Sequence, residues 1–97
     1  GTEVEHFVVD DNKSVFKFSV PGKLVGYKMN ELGIEKEFNI RVISLIRGKQ
    51  ISNALGITRT EKVADEAYPE DYELGASDGL LCYGAYSDFI NFWKSVR

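Results

Sequence analysis

Ser14-Val15-Phe16-Lys17-Phe18-Ser19-Val20 is the stretch from which the fold is read, because its side chains alternate in character. Phe16, Phe18 and Val20 share one face while Lys17 and Ser19 share the other, the period-2 signature of a strand with one buried face. Pro21-Gly22 ends the run, since proline has no backbone donor to give a ladder and the pair favours a turn. Upstream, Glu3-Val4-Glu5-His6-Phe7-Val8-Val9 is a second β-rich run, set off by the turn-forming tetrad Asp10-Asp11-Asn12-Lys13. Downstream, residues 28 to 32 favour a short helical turn, and Gly33 stands where a left-handed stop is easiest for a residue without Cβ. Ile40-Arg41-Val42-Ile43-Ser44-Leu45-Ile46 is apolar apart from Arg41 and Ser44 and reads as a central strand covered on both faces, closing at Gly48.

Residues 53 to 73 lack a clean period and carry six acids, Glu61, Asp65, Glu66, Glu70, Asp71 and Glu73. They are expected to form a surface excursion, with a short helix over residues 61 to 67 that stops before Pro69. Gly79-Leu80-Leu81-Cys82-Tyr83-Gly84 reads as another buried strand. Ser87 is placed to cap a terminal helix whose Phe89, Phe92, Trp93 and Val96 cover one face. The order strand, short helix, strand, excursion, strand, helix predicts an α+β domain, with short helices laid on a small mixed or antiparallel sheet.

The chain has 97 residues, 43% of them hydrophobic, which suits one domain with one core. A domain this small hides only about 60 to 65% of its unfolded surface, so a second copy is expected to contribute to stability. The net charge of −3 and pI near 5.1 exclude a general attraction to polyanions and speak against nucleic acid as a partner. A lone cysteine, Cys82, fits a reducing compartment, so the cytoplasm is the expected location. No run approaches the roughly 20 apolar residues of a membrane span, and no signal-peptide pattern opens the sequence. Opening on Gly1 and closing on the helix-like residues 91 to 97, the chain reads as a domain excised from a longer protein, which can itself be a membrane protein.

Nucleophilic catalysis needs a base within hydrogen-bond reach, and the one histidine, His6, is far in sequence from Cys82. Cys82 lies among Leu80, Leu81 and Tyr83 and is expected to be an inert, buried thiol, while His6 is expected at a surface or strand edge. One histidine and one cysteine do not make a transition-metal site, and the acids of 61 to 73 lack the ligand alternation and central glycine of a calcium loop. Gly22, Gly26, Gly33 and Gly48 are dispersed and form no phosphate loop. The aromatic residues recur at strand or helix spacing, as core packing requires. The chain is therefore not expected to be an enzyme, and no metal or catalytic cofactor is expected.

Val15 to Val20, followed by Leu24-Val25-Gly26-Tyr27-Lys28-Met29-Asn30-Glu31-Leu32-Gly33-Ile34, resembles the opening of the RCK C-terminal domain, also called TrkA-C. That family reads as an apolar strand, a Leu-Val-Gly-Lys loop, a small helix ending Leu-Gly-Leu or Leu-Gly-Ile, and a hydrophobic strand closing on an Arg-Gly turn. Phe38-Asn39-Ile40-Arg41-Val42-Ile43-Ser44-Leu45-Ile46-Arg47-Gly48 supplies the last part. The likeness resumes at Pro69 and Leu74, runs through Asp78 to Gly84 and ends in the helix from Ser87. It covers roughly residues 14 to 96, apart from an expected insertion over about 51 to 68. Residues 1 to 13 are an N-terminal extension able to add a strand, and 14 to 97 the TrkA-C-like regulatory domain. The sequence departs from the family where Ser77-Asp78 replaces the usual Gly-Asp.

The resemblance implies a cytoplasmic, homodimeric, ligand-sensing domain attached to or associated with an inner-membrane potassium channel, potassium uptake regulator or cation/proton antiporter. It implies a groove at the two-fold interface over Ile34 to Val42, where some members bind cyclic di-AMP or another small ligand. Ile34, Asn39, Ile40 and Arg41 are the expected ligand-binding residues: Arg41 to meet an anionic group, Asn39 to hydrogen-bond, and the two isoleucines to give apolar contact. Glu35 opposes phosphate in the same segment. The alternatives are that Asn39 only ends a helical turn, that Arg41 only pairs on the surface, and that the domain only holds subunits together.

Overall fold

The structure is a computed structural model and describes residues 3–97. Five strands, β1 (Val4–Val8), β2 (Ser14–Ser19), β3 (Arg41–Ser52), β4 (Thr58–Asp65) and β5 (Gly79–Gly84), form one sheet in the order β1-β2-β5-β3-β4. Every pairing is antiparallel. The short helix α1 (Ile34–Phe38) and the terminal helix α2 (Tyr86–Val96) complete an α+β fold, joined by 3-10 turns at Gly22–Leu24 and Met29–Glu31.

Alternation in β2 places the core as its sequence predicts: Phe16 and Phe18 are buried, whereas Lys17 and Ser19 are exposed. Phe16 pairs with Cys82 and Phe18 with Leu80, so one face of β2 and β5 is continuous. Phe89 and Phe92 of α2 close that face, with the Phe16 and Phe89 rings stacked 4.0 Å apart. Leu45, Ile34, Ile40, Leu74 and Met29 finish the core. β3 has neighbours on both sides, and Ser44, Leu45 and Ile46 in succession are buried, as a strand covered on both faces requires. A bulge between Val42 and Ser44 shifts its register with β5.

Three sequence expectations are corrected. β3 does not close at Gly48 but runs to Ser52, and Gly48 is there because Ser77 crosses it: a Cβ would lie 2.9 Å from the Ser77 carbonyl oxygen. Residues 61 to 67 do not form a helix, since Thr58–Asp65 is strand β4, paired residue for residue with β3. The helical preference of Glu61, Lys62 and Ala64 gives way to that ladder. Ser87 does not cap α2: the helix begins at Tyr86 after Ala85, without a side-chain cap.

β3 and β4 form a long hairpin whose turn is set by Asn53, its side chain accepting from the Leu55 and Ile57 N–H groups at 2.9 and 3.1 Å. This arm occupies much of the stretch 51 to 68 and stretches the molecule to 48 × 26 × 24 Å. Behind it, residues 70 to 74 run beside 26 to 30. Gly26 and Leu74 are tied by Gly26 N–H to the Leu74 carbonyl, and Leu74 N–H to the Tyr27 carbonyl, both at 2.8 Å. The acidic stretch is thus held by backbone bonds and anchored by buried Leu74.

Candidate functional site

Asn39 sets the geometry at the start of β3. It adopts the left-handed conformation at φ 57° and ends α1, its N–H donating to the Glu35 carbonyl at 3.0 Å. Asparagine tolerates this region better than most residues. The chain then reverses so that Ile40 drops into the core, with no exposed surface, and Arg41 emerges. Gly84 admits this turn over the end of β5: a Cβ there would sit 3.3 Å from Ile40 Cγ1 and 3.4 Å from the Asn39 carbonyl oxygen.

The result is a depression of about 190 Å³ lined by Lys13, Glu35, Asn39, Ile40, Arg41, Tyr83 and Gly84. Three of the four expected ligand residues meet here. Asn39 and Arg41 are exposed, and Ile40 forms the floor. Ile34 does not line the depression: its carbonyl accepts from the Ile40 N–H at 3.5 Å, but its side chain is buried, with 3% of its surface exposed. Two residues join that sequence reasoning did not assign. Tyr83 stands directly opposite Arg41 in the β3–β5 register, and Lys13 precedes the Ser14–Gly84 pair of β2 and β5. Neither was recoverable without the strand order, because β5 inserts between β2 and β3.

Among the described residues, neither Lys13 nor Arg41 has an ion-pair partner. In the cavity of about 530 Å³ at the β1 and β2 end, Lys17 lies 3.8 Å from Glu5, and the Lys62 ammonium donates to the Ser77 carbonyl. In the cavity of about 620 Å³ beside the arm, Arg47 Nε lies 3.6 Å from Asp65 Oδ2 and its guanidinium 4.7 Å from the Tyr72 ring centre. Tyr72 OH in turn donates to buried Asp78 at 2.8 Å. Burial, then this hydrogen bond, raises the Tyr72 pKa above its ordinary value. Lys17, Lys62 and Arg47 are thus already committed, whereas Lys49 beside the arm, and Lys23 and Arg97 in a cavity of about 330 Å³, carry no ion pair among the described residues. Lys13 and Arg41 are available to an anion.

His6 and Cys82 occupy one cross-strand row, with Phe16 between them. That spacing is roughly 10 Å, two strand separations, so His6 does not reach the thiol. His6 Nε2 is hydrogen-bonded to Ser14 Oγ at 2.9 Å, and its ring stacks on Phe16 at 4.9 Å. Burial alone pushes the Cys82 thiol up to about 12. Among the described residues no three His, Cys, Asp or Glu side chains gather to hold a metal, and no helix is long and apolar enough to cross a membrane.

No family model and no curated protein sequence matches the chain. Its fold is similar to a solved structure described as the GsuK RCK domain, with a TM-score of 0.66 and 14% identity. That likeness covers 96% of this chain and 18% of the other, so the chain spans about a fifth of the length of the structure it matches. The antiparallel sheet, the small helix before β3 and the docked terminal helix together give this chain an RCK-type fold, the one expected from its TrkA-C-like motifs.

Proposed function

We propose that the chain is a regulatory module of a potassium channel or cation transporter, located in the cytoplasm, that dimerises and senses a small anionic ligand such as cyclic di-AMP. The observation that carries this reading is the pair of cations without ion-pair partners, Lys13 and Arg41, converging with the Asn39 amide and the Tyr83 phenol on one depression of an RCK-type fold. A phosphate oxygen suits the two cations, Arg41 offering a planar fork of donors. Asn39 offers both a donor and an acceptor to a base edge.

The volume supports dimerisation. Small-molecule sites usually span about 300 to 1,000 Å³, and one copy provides about 190 Å³. Two copies facing each other across a two-fold axis double the lining and match a two-fold ligand. Arg41 and Lys13 then each occur twice, and the ligand itself closes the site.

A second reading is an assembly domain that takes no ligand. It draws on Glu35, whose carboxylate lines the same depression and repels an anion. Calorimetric titration of the chain with cyclic di-AMP separates the two readings. Saturable heat at one ligand per two chains is the expected result, and heat indistinguishable from dilution leaves the assembly reading.

A further inference from the structure

The arm ends in a free sheet edge. β4 has β3 on one side and, among the described residues, nothing on the other, and Thr58 to Ala64 are all exposed. Such an edge is a template for another strand, and proteins usually blunt it with proline, a bulge or charge. The β3–β4 ladder contains no proline and runs without a register shift. Charge is present, in Arg59, Glu61 and Lys62, but its order on the strand is self-complementary.

The backbone fixes which groups face outward. Asn53 N–H donates to the Ile57 carbonyl at 3.1 Å, so Ile57 turns its carbonyl toward β3. By alternation Arg59, Glu61 and Val63 do likewise, and Thr58, Thr60 and Lys62 present their N–H and carbonyl groups to the open edge. An antiparallel copy centred with Thr60 opposite Thr60 matches these groups donor to acceptor. In that register Arg59 of each copy faces Glu61 of the other, and Ile57 faces Val63. Ile57 and Val63 are 62% and 41% exposed in the single chain, large apolar side chains without cover. Centring on Arg59 or on Glu61 instead sets like charges directly opposite, which is unfavourable.

We propose that β4 pairs with β4 of a second copy of this chain, antiparallel about a two-fold axis at Thr60, joining the two five-stranded sheets edge to edge. The contact covers an arm that is a two-stranded ribbon over much of its length, and an isolated ribbon of that kind is marginal in water. It lies at the far end of β3 from Arg41, roughly 30 Å away at the rise of a strand. It is therefore independent of the ligand site and stands or falls apart from it. Used with a two-fold contact at the ligand site, it links dimers into larger assemblies.

Sedimentation equilibrium of the ligand-free chain tests the register through charge exchange. The wild-type chain is expected to dimerise. Glu61→Arg sets arginine against arginine, and Arg59→Glu sets glutamate against glutamate, so each variant alone weakens association by about tenfold or more. An equimolar mixture of the two variants restores it, because each Arg then faces a Glu. Both side chains are exposed, and although each variant also loses the 3.4 Å Arg59–Glu61 pair within the strand, a cooperative urea transition and a β-type far-ultraviolet circular dichroism spectrum in each confirm that it still folds. Wild-type association that neither variant alters, a mixture no tighter than its components, or a wild-type chain that stays monomeric at hundreds of micromolar overturns the proposal.

Discussion

Removing the carboxylate of Asp78 should cost this fold more than any other single polar change. Only 3% of Asp78 is exposed, and its side chain ties its own segment, through Tyr72 and Gly75, to Gly48 of β3. Oδ2 accepts from Tyr72 OH and Gly75 N–H, both at 2.8 Å, and Oδ1 accepts from Gly48 N–H at 3.3 Å. A hydrogen bond to a charged group is worth about 1.5 to 3 kcal/mol net. The two short bonds carry most of that, and the longer one carries less. Water entering the gap left by Asp78→Ala returns part of the loss, so the expected cost is about 3 kcal/mol, against about 5 to 15 kcal/mol for a whole domain. Asp78→Asn keeps the shape but only one acceptor oxygen. With that oxygen toward Tyr72 and Gly75, its NH₂ faces the Gly48 N–H, donor against donor, and a cost of about 1 to 2 kcal/mol follows. Urea denaturation of the wild type and both variants at neutral pH measures these values. If Asp78→Ala loses less than about 1 kcal/mol, or if Asn proves worse than Ala, the reasoning from these hydrogen bonds is wrong.

Two further outcomes follow from packing and burial. Phe92 is 1% exposed, so Phe92→Ala should destabilise the fold by about 3 to 5 kcal/mol. Trp93 is only half-buried, resting edge-on against Phe18 at 5.1 Å, so Trp93→Ala should cost less despite its larger ring; a reversed order in urea unfolding contradicts the placement of α2. The Cys82 thiol is raised by burial from 9.0 to about 12, so the unfolded chain loses its proton in a range where the folded chain keeps it. Stability should therefore fall as pH rises through that window, and Cys82→Ala should flatten the fall. Identical slopes in wild type and variant would show that the thiol is accessible to water.

What the sequence disclosed, and what it withheld, depends on how each element is buried. β2 was legible because one face is core and the other solvent, so Phe16, Phe18, Lys17 and Ser19 alternate. β4 was not, because nothing covers either of its faces: Thr58-Arg59-Thr60-Glu61-Lys62 has no apolar period to read, and its strand identity comes from pairing with β3. Gly48 misled for a related reason. A glycine in an apolar run reads as an end, whereas this one makes room for a segment some thirty residues away in sequence, whose Asp78 binds its N–H. Of the residues around the candidate depression, Asn39, Ile40 and Arg41 were singled out by the TrkA-C resemblance and as consecutive residues of one segment. Tyr83 and Lys13 reach them only through the insertion of β5 between β2 and β3. Ile34 was expected in the groove from the TrkA-C resemblance, and the helix turns its side chain into the core.

The proposal that Arg41 is the anion-binding group of a sensor is tested most directly by one comparison, the dissociation constant of cyclic di-AMP for the wild-type chain and for Arg41→Ala. A charge-assisted hydrogen bond of about 1.5 to 3 kcal/mol corresponds to roughly 10- to 150-fold in affinity. Because Arg41 is exposed and has no ion-pair partner among the described residues, the substitution should leave the urea midpoint unchanged. Saturable binding to the wild-type chain and a weakening of that size in the variant are expected; equal affinities, or no binding to the wild type, would contradict a role for Arg41 as the anion-binding group.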